Sequence, residues 1–93
     1  MSPEQEVQRG QDAKRLLEEP LLQEAFEVIE QEIMEKWKTA PARDVDGREK
    51  LWMMLHLLGR VRSHLESVMA SGHLAEATLA QRARRALGRN ASL

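Results

Sequence analysis

Between residues 51 and 68 the apolar positions Leu51, Met54, Leu58, Val61, Leu65 and Val68 recur at spacings of three and four, the pattern of an a/d seam on a long helix. Asp46 and Glu49 precede this run with the D-x-x-E spacing of a capping box, and Gly72 follows it as a C′ residue, so the pattern predicts a helix over 46–72. Upstream, Leu22, Phe26, Ile29, Ile33 and Trp37 trace one apolar stripe, with glutamates filling much of the remainder. This predicts an amphipathic helix over 20–38 that Pro41 stops. Ser2-Pro3-Glu4-Gln5 opens a first short helix, 3–18, whose stripe of Val7, Gly10, Ala13 and Leu17 is narrow. Pro20 interrupts the chain after it. A last helix over 74–88 carries a weak stripe of Ala75, Leu79, Ala83 and Ala86, ended by Gly88-Arg89-Asn90. The expected architecture is one all-α domain over 1–93, built on an antiparallel helical hairpin of 20–38 and 46–72. Shorter terminal helices accompany the pair, and oligomerisation completes the bundle.

The long segment is not uniform on a helical wheel. Leu55 and Met69 widen the seam on one side, while Trp52, Met53 and Leu57 fall well outside it. From Leu51 to Leu58 the helix is therefore apolar on most faces except at His56, more than a hairpin partner covers. The first helix, the C-terminal segment or a second subunit must cover the rest. Trp37, Trp52, Met53 and Leu57 are the candidate interaction surface, since the short connection of residues 39–45 places the two tryptophans in adjacent layers.

Composition narrows the chemistry. The 93 residues contain no cysteine, which excludes disulfides, thiolate metal sites and a cysteine nucleophile. No apolar run approaches the roughly 20 residues of a membrane span, and the N-terminus lacks the basic flank and apolar stretch of a signal peptide, so a membrane partner is not expected. His56 and His64 are eight positions apart, about 80° around a helix, without carboxylates at matching positions, so no metal site is expected. The glutamates of 20–38 form a solvated face, and Ser63, Ser67 and Ser71 with Gly59 make a small-residue ridge opposite the seam. No nucleophile–base pair and no phosphate loop is present, hence no catalytic residue, cofactor or small-molecule substrate is assigned.

The net charge of −1 conceals a gradient: residues 1–40 carry ten acids against five bases, whereas Arg82, Arg84, Arg85 and Arg89 have only Glu76 against them after residue 72. Arg82, Arg85 and Arg89 share one face, a stripe suited to phosphates or an acidic partner. No aromatic is interleaved for base stacking and no second helix follows. Nucleic-acid binding is accordingly the alternative to protein interaction.

Arg9-Gly10 with Ala13 and Leu16-Leu17, then Leu22, Ala25-Phe26 and Trp37, then Arg48-Glu49-Lys50-Leu51, and Leu65 before Gly72 together resemble small uncharacterised helical proteins encoded among the virion-assembly and DNA-packaging genes of tailed bacteriophages and prophages. The match covers roughly residues 8–80 and brings no catalytic signature. The resemblance implies a phage origin, a helical hairpin, a non-enzymatic role in the host cytoplasm or the virion, and a homo-oligomer or another assembly component as partner.

Overall fold

The computed structural model describes residues 1–91, with side chains through Arg89; the last two residues of the expected 1–93 domain lie outside the described residues. The chain is all-α, with α1 (Pro3–Glu18), α2 (Pro20–Thr39) and α3 (Val45–Ala91) and no strand among the described residues.

Local chemistry sets these boundaries. Ser2 Oγ accepts from Gln5 N at 3.2 Å while Gln5 Oε1 accepts from Ser2 N at 3.0 Å, a reciprocal capping box that starts α1. Pro20 separates α1 from α2 as expected. Glu19 adopts φ −67°, ψ 116°, an extended backbone that the proline ring favours in its predecessor. Thr39 Oγ1 donates back to Glu35 O at 3.0 Å, and α2 ends there.

The start of α3 differs from expectation by one residue, and its cap is a different one. Asp44 Oδ1 accepts from Gly47 N at 3.1 Å, so Asp44 is the N-cap and Asp46 lies inside the first turn rather than in a capping box with Glu49. The ends expected at Gly72 and Gly88 do not occur either. α3 runs through both, joining the segments 46–72 and 74–88 into one helix of 47 residues, and no glycine has positive φ.

Two compact units share α3. One holds Met1–Arg15 and α3 from Leu65 onward, and it explains Gly72. A Cβ built on Gly72 would lie 2.7 Å from Gly10 Cα and 3.0 Å from Glu6 O, and one built on Gly10 would lie 2.7 Å from Gly72 Cα. The two helices thus touch backbone to backbone, and each has an alanine three positions on, Ala13 and Ala75, both buried. Gly-x-x-Ala on both partners is what lets the narrow stripe of α1 dock despite Gly10, whose presence in a helix costs about 1 kcal/mol relative to alanine.

The other unit, Leu16–His64, holds α2 and the first part of α3. Its buried residues are Phe26 and Ile33 of α2. The α3 row turned inward is Leu51, Leu55, Leu58 and Arg62, all partly buried, whereas Met54 and Val61 of the expected seam stand half exposed. The shift follows from Arg62. Its guanidinium lies 4.8 Å from the Phe26 ring centroid, so an arginine occupies a seam position that an apolar count assigns to its neighbour.

Candidate interaction groove

The turn between α2 and α3 is fastened by one side chain. Arg48 Nη1 donates to Ala40 O at 3.2 Å and, at 3.3 Å, to Trp37 O, which also accepts from Ala40 N, so the side chain reinforces the end of α2. The same guanidinium sits 4.3 Å above the Trp37 ring centroid. Arg48 therefore fixes both the helix end and the indole orientation.

Beside this clamp, Ile33, Met34 and Trp37 of α2 and Leu51, Trp52 and Leu55 of α3 line an apolar concavity of about 200 Å³. Trp37 is 42 % and Trp52 61 % exposed. Trp52 is held from its other side by His56, one turn on, with ring centroids 5.2 Å apart and planes 7° from parallel. Through Leu55 the concavity adjoins a second of about 260 Å³, lined by Phe26, Glu30, Leu55, Leu58, Gly59 and Arg62. Gly59 keeps this stretch open, since nothing lies within 4 Å of where its Cβ would be. Together they form one groove, apolar at the tryptophan end and charged at the Glu30–Arg62 end.

The structure divides the expected surface. Trp37 and Trp52 share the groove, whereas Met53 lies 100° and Leu57 140° around α3 from Trp52, on another face, where both are exposed. Leu55, which widens the expected seam, and Gly59, which the pattern counts in the small-residue ridge, line the groove, and Met34, Arg48 and Arg62 complete the site without having been singled out by spacing. Met34 carried a signal, because it lies one position past Ile33 on the side of the stripe shared with Glu30; nothing in a linear pattern pointed to Arg48 as a clamp on the turn or to Gly59 as part of a groove.

Arg82, Arg84, Arg85 and Arg89 are exposed, and every residue from 80 to 89 is exposed whichever way it faces. These turns of α3 are helical without lying against another element of their unit. Ser63, Ser67 and Ser71, like Gly59, are exposed. His56, His64 and His73 are exposed, and no three metal-ligating side chains come together among the described residues. No helix there is long and apolar enough to cross a membrane. No family model matches the chain, and neither the curated proteins nor the solved structures yield a match.

Proposed function

We propose that this chain is a non-enzymatic helical protein-interaction module of virion assembly or DNA packaging, binding another assembly component through the Trp37–Trp52 groove. The observation that carries the reading is two tryptophans, each pinned by a neighbour, left on the surface around an apolar hollow. Orientation fixed in advance lowers the entropy lost on binding, and pre-set aromatic anchors commonly dominate an interface. At about 200 Å³ the hollow is smaller than the roughly 300–1,000 Å³ of small-molecule sites, so it suits an apolar side chain from a partner surface. The phage setting rests on the sequence resemblance.

The test is binding to the purified products of the genes that flank its own. Trp52→Ala is expected to weaken the productive complex by about 30-fold, the effect of losing a roughly 2 kcal/mol anchor. Equal affinity of wild type and variant for every such product rejects the reading.

A second reading, a nucleic-acid-binding accessory, is supported by the exposure of the basic turns on all sides. Neutralising three or four phosphates with Arg82, Arg84, Arg85 and Arg89 gives a log-log salt slope of roughly −3 on duplex DNA. Glutamine at all four positions is expected to abolish a mobility shift seen at low salt. Undiminished binding by that variant eliminates the arginine segment as the contact.

A further inference from the structure

The turns of α3 at residues 80–89 are exposed on every side and still helical. Their composition accounts for the helix, since Ala80, Ala83, Ala86, Leu87 and the arginines are strong helix formers and Gly88 alone opposes them. Their charge needs another reason. No acidic residue follows Glu76, which lies about 9 Å before Arg82 along the helix axis. Among the described residues none pairs with Arg82, Arg84 or Arg85. A helix C-terminus favours cations over its last turn only, and Arg89 occupies that turn. Arg82, Arg84 and Arg85 lie six to nine residues before Ala91, beyond the reach of the dipole.

The placement of the guanidinium groups selects among anionic ligands. Around the helix Arg82 and Arg85 stand about 60° apart with Arg89 between them, whereas Arg84 lies about 100° from Arg85 and about 160° from Arg82. Positive charge therefore flanks the helix on two sides. An acidic protein surface meets a helix on one side, but the major groove of duplex DNA encloses it between two phosphate strands. Between the arginines stand Ala80, Gln81, Ala83, Ala86, Leu87 and Gly88, so the helix is slender enough for a groove about 12 Å wide. The geometry points to these turns as a helical arm that lies in the major groove of duplex DNA, with Arg84 on one phosphate wall and Arg82 and Arg85 on the other. The inference rests on the nucleic-acid reading above and names its ligand and mode of contact. Gln81 lies in the arc between Arg84 and Arg85, on the side turned to the base edges. A single amide reads little sequence, so duplexes of differing sequence bind alike. Because the arm is helical beforehand, binding does not bear the cost of ordering it.

Mobility shifts of the whole chain at about 50 mM salt test it on three probes of one sequence. These are a DNA duplex, the same duplex with glucosylated 5-hydroxymethylcytosine, whose sugars fill the major groove, and an RNA duplex, whose major groove is too deep and narrow to enter. The plain DNA duplex is expected to bind, and the other two to bind at least about tenfold more weakly. Arg84→Gln and Arg85→Gln, both at exposed positions, are each expected to flatten the log-log salt slope by about 0.9, because each wall loses one phosphate contact. Equal binding of the glucosylated or the RNA duplex overturns groove docking, as does an Arg84→Gln protein with the wild-type slope. In those cases wild type still binds through its arginines, and the nucleic-acid reading stands. Polyglutamate that displaces the duplex as well as unlabelled duplex does, at equal charge, overturns the inference in favour of an acidic protein surface. A wild-type chain that shifts no duplex overturns both the inference and the reading beneath it.

Discussion

Replacing Gly72 with alanine is expected to destabilise the protein, whereas the same replacement at Gly59 in the same helix is expected to stabilise it. Alanine is the better helix former by about 1 kcal/mol at both positions, so intrinsic propensity favours both variants equally. The surroundings decide the sign. At Gly59 the new methyl meets nothing within 4 Å, and the gain of roughly 0.5–1 kcal/mol is realised. At Gly72 it meets Gly10 Cα at 2.7 Å and Glu6 O at 3.0 Å, backbone atoms that move only if α1 withdraws. Forcing the helices apart costs about 1–3 kcal/mol in a packed contact, enough to outweigh the propensity gain. Gly10→Ala meets the reciprocal contact and is expected to behave as Gly72→Ala does. Gly72→Val is expected to release α1, read as lost amide protection over Pro3–Glu18 together with a lower urea midpoint. A Gly72→Ala protein that melts above wild type would show that the close approach of the two helices is not what selects glycine there.

Arg48→Ala is the second large effect, expected to cost about 2 kcal/mol. Two hydrogen bonds from a charged donor to carbonyls are lost, each class of bond being worth roughly 1.5–3 kcal/mol when well formed and less at a partly exposed site such as this. The cation–π contact with Trp37 adds about 0.5–1 kcal/mol. For a chain of this size 2 kcal/mol corresponds to a fall in Tm of roughly 10 °C. Arg48→Lys keeps the charge but not the planar fork, and is expected to fall between alanine and wild type. Thermal unfolding followed by tryptophan fluorescence checks both, because Trp37 reports the clamp directly. If Arg48→Ala and wild type share one melting curve, the turn is held by Asp44 and the α2 end alone. A stable Arg48→Ala protein is also expected to bind its partner less tightly, since the Trp37 indole loses the contact that orients it.

Much of the fold was legible in the sequence. Ser2 and Gln5 gave the start of α1, Pro20 the break after Glu18, and the three-and-four spacing from Leu22 to Trp37 the whole of α2, because each is a local rule that holds wherever the segment ends up. Half of the groove was legible too, as Trp37 and Trp52 flank a short turn. What the sequence left undecided were choices between neighbours that only a packed partner makes. Gly72 suits a helix end and a close helix crossing equally well by composition, and the presence of Gly10 opposite it selected the crossing. Asp44 and Asp46 are both competent caps, and the reach of Asp44 Oδ1 to Gly47 N selected the first. Leu55 and Arg62 lie one position beyond Met54 and Val61, a rotation of 100°, and the Phe26 ring selected the row containing the arginine. That rotation also decided the exposed surfaces: it turned Trp52 toward Trp37 on one flank and left Met54, Leu57 and Val61 on another. The sequence by itself determined an all-α chain with surplus apolar surface around Trp52, because helix propensity, capping and periodicity are local. The division of that surplus into a groove and a separate apolar row was decided by tertiary packing, because one-residue choices of facing row depend on the side chains across the contact.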